Sequence, residues 1–209
     1  METEREKIGF LNELFRKGIH LTSSIIPLFY WVTNIEYALI FTGVIVFLMI
    51  MMDILRKISN KFDLFYKKVL WIVLRKREFD PAKHLFTGGT YLVIGDLLSI
   101  LLFPKSIAIM AMFIVRFSDS FAALIGKHFG KIRVGSKTLE GTFTFFLVTV
   151  LIVYFFPKVT ISHTELSIAF SSAIIVSIFE ILPVKIDDNV LIPIVFGGCY
   201  TLLLNLILF

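Results

Sequence analysis

The sequence predicts an all-α, polytopic membrane protein of about seven transmembrane helices, with a cytoplasmic N-terminus and amphipathic helices on the membrane surface. Three observations carry this prediction. Apolar residues fill 57% of the 209 positions, and phenylalanine alone occurs 23 times, whereas a soluble domain is about 45–50% apolar. The excess is gathered into long runs rather than spread along the chain. Lysine and arginine cluster at alternate ends of those runs. No polar linker is long enough to join two domains, so residues 1–209 are expected to form one integral-membrane domain.

Residues 5–18 have Ile8, Leu11, Leu14 and Phe15 on one side, the pattern of a helix lying at the membrane surface. Residues 1–18 hold four acids and four bases and no apolar core segment, so they are not expected to be a cleaved signal peptide. The first span is expected at about Ile19–Val32 and the second at about Tyr37–Met52, joined by a tight turn at Asn34-Ile35-Glu36. Residues 53–83 read as a long basic loop. Within it Ile54, Ile58, Phe62, Phe65, Val69 and Ile72 recur at helical spacing, which predicts helix lying on or dipping into the bilayer. Further spans follow at about His84–Phe103, Ser106–Ile125, Leu139–Phe156, Leu166–Leu182 and Val190–Leu208.

Counting Lys and Arg sets the orientation. With the N-terminus inside, eighteen of the 21 basic residues fall in cytoplasmic segments, and only Lys105 and Lys158 lie opposite. The net charge of +5 is then explained by orientation in the bilayer, and nucleic acid is not an expected partner. Cys199 is the single cysteine, which excludes an intrachain disulfide and a cysteine zinc site. Every polar cluster falls at the cytoplasmic end of a span. A transporter needs polar groups near the midplane and on both sides, whereas an enzyme joining a soluble reactant to a lipid needs them on one face.

The densest cluster runs from Arg116 to Gly141. Asp119 stands inside an apolar run, where an acid is expensive and a functional role is the default hypothesis. It would either pair with Arg116, three residues earlier on the same helix, or hold Mg²⁺ near the lipid–water boundary. The segment that follows holds Gly126, Gly130, Lys131, Arg133, Gly135 and Lys137, then Thr138 and Glu140 at the start of the next apolar run. It resembles a P-loop but has one residue too many before the lysine and no preceding strand, so a Walker motif is rejected. It is either an ordinary basic turn or a phosphate site made by lysines and a helix N-terminus. Asp187-Asp188-Asn189 opens the last span. It reads either as a helix cap or as a pair of hard-cation ligands, with Glu180 one turn inside the preceding span. His20, His84 and Asp96 are weaker candidates, explained equally by interfacial packing or by pairing across helices.

Taken together, these segments resemble the diacylglycerol/polyprenol kinase family, which includes dolichol kinases, phytol kinases and CTP-dependent diacylglycerol kinases. The matching pieces are Arg16-Lys17-Gly-Ile-His20, Arg77-Glu78 with Thr87-Gly88-Gly89, Ser118-Asp119 through Lys131, Lys137-Thr138-Leu-Glu140-Gly141, and Glu180 with Asp187-Asp188-Asn189. The resemblance implies transfer of the γ-phosphate of CTP, or of another nucleoside triphosphate, to a membrane lipid alcohol with Mg²⁺. The enzyme would sit in the cytoplasmic membrane, or in the endoplasmic reticulum of a eukaryote. Asp119, Asp187 and Asp188 would hold the metal. Arg16, His20, Gly126, Gly130, Lys131, Arg133, Lys137 and Thr138 would bind the nucleotide. Lys137 would also act in catalysis with Asp119, and either Glu140 or Glu180 would accept the hydroxyl proton. The alternatives are a CTP-dependent cytidylyltransferase acting on a lipid phosphate, and an ion-coupled transporter with Asp96, Asp119 and Glu180 as its relay.

Overall fold

The structure is a computed structural model that describes residues 13–71, 74, 76–81, 85–159 and 163–208. His84, Ile72, Ile8 and Leu11 lie outside the described residues.

The first apolar run is two helices rather than one. Helix α1 covers residues 13–22 and α2 covers Ile25–Val32. At the break, Thr22 and Ser23 donate their hydroxyls to the carbonyls of Ile19 and His20, at 2.7 and 2.5 Å. Such hydroxyls compete with the helical ladder. The chain restarts with Pro27 in the first turn of α2, where a missing N–H costs little. In α1 the usual amphipathic sense is inverted. Leu14 and Phe15 face outward, and Lys17 is buried at 3% exposure.

Helix α3, Ile35–Ile58, runs six residues beyond the expected end of the second span. Ser59 then interrupts the chain and caps α4, Asn60–Leu70, by accepting from Phe62 N at 3.3 Å. The expected basic loop is therefore largely helix. Its buried charges do not stop it because they are paired inside. Arg56 donates to Asp63 at 3.0 Å and to the Glu78 carbonyl at 2.8 Å, and lies 4.4 Å from the Tyr66 ring centre. The predicted apolar stripe is outward, with Ile54, Ile58, Phe65 and Val69 exposed.

Four helices are long and apolar enough to cross a bilayer among the described residues: α3; α6, Lys105–Phe129; α8, His163–Ile181; and α9, Asp188–Leu208. Helices α5, Gly88–Leu102, and α7, Leu139–Phe155, are shorter and apolar. Helix α6 is the axis of the bundle. Every residue from Ile107 to Arg116 is buried, as in a helix surrounded by others. It packs against α7, α9, α5 and α2. One apolar cluster joins Ile114 and Val115 to Phe145, Ile168, Ile192 and Phe196, and a second joins Ala108 and Met112 to Tyr30, Val46 and Ile100.

Candidate active site at one end of the bundle

The segment between α6 and α7 is a small hairpin. Strands β1, Arg133–Val134, and β2, Lys137–Thr138, pair antiparallel around Gly135-Ser136. Gly135 has φ 62°, which suits the first position of a type II′ turn. Glu140 holds the base of the hairpin by accepting from the backbone amides of Lys131 and Ile132, at 2.9 and 3.2 Å. Thr138 caps α7 through Gly141 N at 3.2 Å. The glycines are a packing device. A Cβ at Gly126 would come within 2.6 Å of Thr138 Oγ1, and one at Gly141 within 2.9 Å of the Ala122 carbonyl. Without them the hairpin could not lie against α6.

This hairpin and the helices α1, α6, α8 and α9 meet around two lysines and their carboxylate partners. Lys17 donates to Asp119 Oδ2, bringing α1 against α6. Lys137 lies 3.0 Å from both Glu180 Oε1 and Asp188 Oδ2, and donates to the Glu180 carbonyl as well. Burial opposes a charge on Lys137, but the carboxylates of Asp188 and Glu180 outweigh it and raise its pKa above the usual lysine value. Glu180 also accepts from Thr142 Oγ1 at 2.7 Å. Asp119 lies ten residues from the end of α6, roughly 15 Å at 1.5 Å per residue.

The structure corrects several expectations. Asp119 does not pair with Arg116. Arg116, wholly buried, grips Asp96 of α5 through two contacts at 2.8 and 2.5 Å, and its Nε reaches Ser23 at 3.0 Å. Asp96 is thus consumed by a structural pair and is a poor relay for an ion. Lys131 and Glu140 stand at the base of the hairpin and do not line the cavity described next. His20 lines an apolar cavity and not the polar one. Asp187 accepts from Asn189 N at 3.2 Å, the capping role, whereas its neighbour Asp188 turns to Lys137.

Two polar cavities of about 430 and 400 Å³ share Arg16, Asp119, Ser136 and Lys137. Gly126, Gly130, Arg133, Thr138 and Glu180 line the first, and Asp187 and Asp188 the second. Cations, a hairpin and carboxylates around one space suit a polyphosphate. Among the described residues no three His, Cys, Asp or Glu side chains form a ready metal cluster. The donor set nevertheless fits Mg²⁺, which is commonly held by one or two carboxylates with the remaining positions filled by phosphate and water. Asp119 and Asp188 line the same cavity and would be that pair.

Several participants were named by sequence without their partners, and Asp53 was not singled out at all. Lys17 was only one member of a basic run. Asn189 links His20, at 3.0 Å, to the Gly88 carbonyl, at 3.0 Å. Asp53 accepts from Thr87 N at 2.8 Å and from Thr90 Oγ1 at 2.7 Å, and Gly88 N donates to Glu78 at 3.1 Å. These contacts fix the N-terminus of α5 beside the site.

No protein-family model matches the chain, and no solved structure matches it. It is 29% identical over 183 residues to an uncharacterised protein of Rickettsia prowazekii, spanning 86% of this chain and 88% of that one. It is 26% identical over 153 residues to CTP-dependent diacylglycerol kinase 1 of Saccharomyces cerevisiae, spanning 69% of this chain and 50% of the yeast protein. With the protein of the same name from Schizosaccharomyces pombe it shares 24% identity over 202 residues, 90% of this chain and 85% of the other. The match therefore spans half the length of the budding-yeast relative. The similarity is to a diacylglycerol-kinase-like family.

Proposed function

We propose that this chain is an integral-membrane lipid kinase that transfers the γ-phosphate of CTP to the hydroxyl of a lipid alcohol at the cytoplasmic face, on a seven-span scaffold. One observation carries the reading. The polar cavities that hold Asp119 and Lys137 share Arg16, and one of them also Lys17, with an apolar cavity on the other side of α1. A soluble, multiply charged reactant and a membrane-embedded one would meet across that wall. Diacylglycerol is the first alcohol to test, because it is named in the relatives.

Arg16, Arg133 and Lys137 would neutralise the phosphate oxygens, as positioning and charge stabilisation dominate phosphoryl transfer. Asp119 and Asp188 would hold Mg²⁺, which would supply further charge neutralisation to the phosphates. The hydroxyl oxygen attacks the γ-phosphorus in line, the bond to the β-phosphate oxygen breaks, CDP leaves, and the hydroxyl proton passes to Glu180, the candidate base that lines the cavity. Glu180, already held by Lys137 and Thr142, helps fix the lysine that faces the phosphates.

The test uses purified protein, mixed lipid alcohols and lipid phosphates, and CTP labelled at either the γ or the α position. Transfer of the γ label to lipid with release of CDP is expected. Transfer of the α label with release of pyrophosphate would instead identify a cytidylyltransferase. Label in neither lipid would overturn both and return the transporter reading to first place.

A further inference from the structure

We infer that the apolar cavity between α1/α2 and α3/α5 is the lipid-alcohol subsite, and that His20 Nδ1 anchors the acceptor hydroxyl. The inference deepens the lipid-kinase reading and takes from it the class of ligand.

The cavity measures about 360 Å³ and is walled mostly by aliphatic side chains, among them Ile26, Ile45, Met49 and Val93. Ile19 and Ile25, which also line it, are exposed at 51% and 58% on the outer surface of the bundle. A lipid chain could therefore enter sideways past them, without crossing the polar end. The volume is at the low end for a small-molecule site. It would hold a glycerol-sized head and the first part of the chains, leaving the remainder in the bilayer. Polar groups gather at one end, where His20, Asn189, Lys17 and Arg16 line the wall. Lys17 and Arg16 also line the polar cavity that contains Asp119 and Lys137.

The chemistry of His20 follows from its partner. Asn189 Nδ2 faces the Gly88 carbonyl at 3.0 Å. A carbonyl can only accept, so the amide nitrogen of Asn189 is fixed there, and its Oδ1 is turned to His20 Nε2 at 3.0 Å. That oxygen can only accept, so Nε2 carries the hydrogen. In a neutral imidazole the other nitrogen then bears a lone pair. Nδ1 is that atom. It is buried, with no hydrogen-bond partner among the described residues. A buried acceptor left unsatisfied is unfavourable. A ligand O–H, at the head of an apolar tail, would satisfy it.

The experiment reads binding and does not depend on turnover. Protein in phosphatidylcholine nanodiscs is labelled by a photoreactive diacylglycerol, in competition with unlabelled diacylglycerol or with its O-methyl ether, which has lost the donor. Wild type should prefer the alcohol by about tenfold, the worth of one hydrogen bond. His20→Ala should abolish the preference while leaving retention of labelled CTP unchanged. His20→Gln, which keeps an acceptor and a donor, should recover part of it. Ile25→Trp, at the exposed mouth, should reduce labelling by both competitors' parent probe without lowering the melting temperature. A His20→Ala protein that still prefers the alcohol, or crosslinks that map away from α1, α2, α3 and α5, would overturn the inference. If the preference and its loss are found but no γ label reaches lipid, the subsite stands and the kinase reading fails.

Discussion

Lys17 and Asp119, 102 positions apart in the chain, form an ion pair that joins α1 to α6 at the wall between a polar and an apolar cavity. The Lys17 side chain is 4% exposed and that of Asp119 14%. Both readings of Asp119, structural partner and metal ligand, must therefore be tested against Lys17 and not against Arg116. Asp119→Asn leaves a buried lysine unpaired, which destabilises by about 3–5 kcal/mol. Adding Lys17→Met removes the stranded charge and should recover the melting temperature. It should not recover activity, which is expected to fall at least about 100-fold, as for loss of a preorganised transition-state charge. An active, stable double variant would reduce Asp119 to a structural role.

Arg116 and Asp96 make the opposite case. Their contacts are within one buried unit, 0% and 1% exposed, with no share in either polar cavity. Arg116→Met alone should destabilise by about 3–5 kcal/mol, because it strands a buried carboxylate. Replacing both with apolar residues should come close to neutral. The residual activity of either form should show an unchanged dependence on CTP concentration. A shift in that dependence would draw the pair into the site.

The contrast shows what the sequence could reveal. Asp119 was legible because an acid in an apolar run is expensive and asks for a reason. Its partner was not, because Lys17 lies in a basic run at a span boundary, where orientation already explains a lysine. Asp53, Arg56 and Asp63 were taken as loop charges. Hydropathy fails there because these charges are paired, Arg56 with both aspartates and Lys67 with Asp63, and α3 continues through Asp53 and Arg56. The hairpin was within reach of the sequence, since Gly135-Ser136 between Val134 and Lys137 is a two-residue turn signal. Gly126 and Gly130 of the central block were expected to bind the nucleotide. Their tight contacts with Thr138 and Ala122 require knowledge of which helix lies opposite, and no spacing rule supplies that.

Lys137 should remain cationic throughout the working range. Its pKa is raised above the usual 10.5, so its favourable contribution is present below the unfolded value and is lost only as pH rises through the still higher folded one. A pH–rate profile through neutral and mildly alkaline conditions should show no limb assignable to it. Lys137→Met should lower CTP affinity by at least about tenfold, since a charge-assisted contact contributes about 1.5–3 kcal/mol. It also leaves Glu180 and Asp188 facing each other across the vacated position. Adding Glu180→Gln should relieve that repulsion and restore thermal stability without restoring affinity.

Gly126→Ala tests whether the hairpin must lie against α6. The new methyl would stand 2.6 Å from Thr138 Oγ1, a distance that forces a shift. CTP binding should weaken and the hairpin should become more susceptible to protease. Thr138→Ala in the same chain removes the clashing oxygen and should restore part of the binding. Recovery stays incomplete because the α7 cap is lost, at about 1 kcal/mol. Gly135→Ala meets no neighbour, and its effect should come only from the positive φ.

The side of the membrane on which the site opens decides which nucleotide pool it uses. All the polar contacts around Asp119 and Lys137 lie at one end of the bundle. The opposite end is tied by Lys105 donating to the Thr33 carbonyl at 2.7 Å, and by Glu165 accepting from Tyr200 and Val159 N, each at 2.7 Å. The excess of basic residues around the first end predicts that it is cytoplasmic. On a Cys199→Ser background, Lys131→Cys should resist a membrane-impermeant maleimide applied to intact cells and react once the membrane is opened. Lys158→Cys, half-buried at the opposite end, should react from outside. Labelling of Lys131→Cys from outside would invert the orientation. The site would then lack access to cytoplasmic CTP, and the lipid-kinase reading would fail with it.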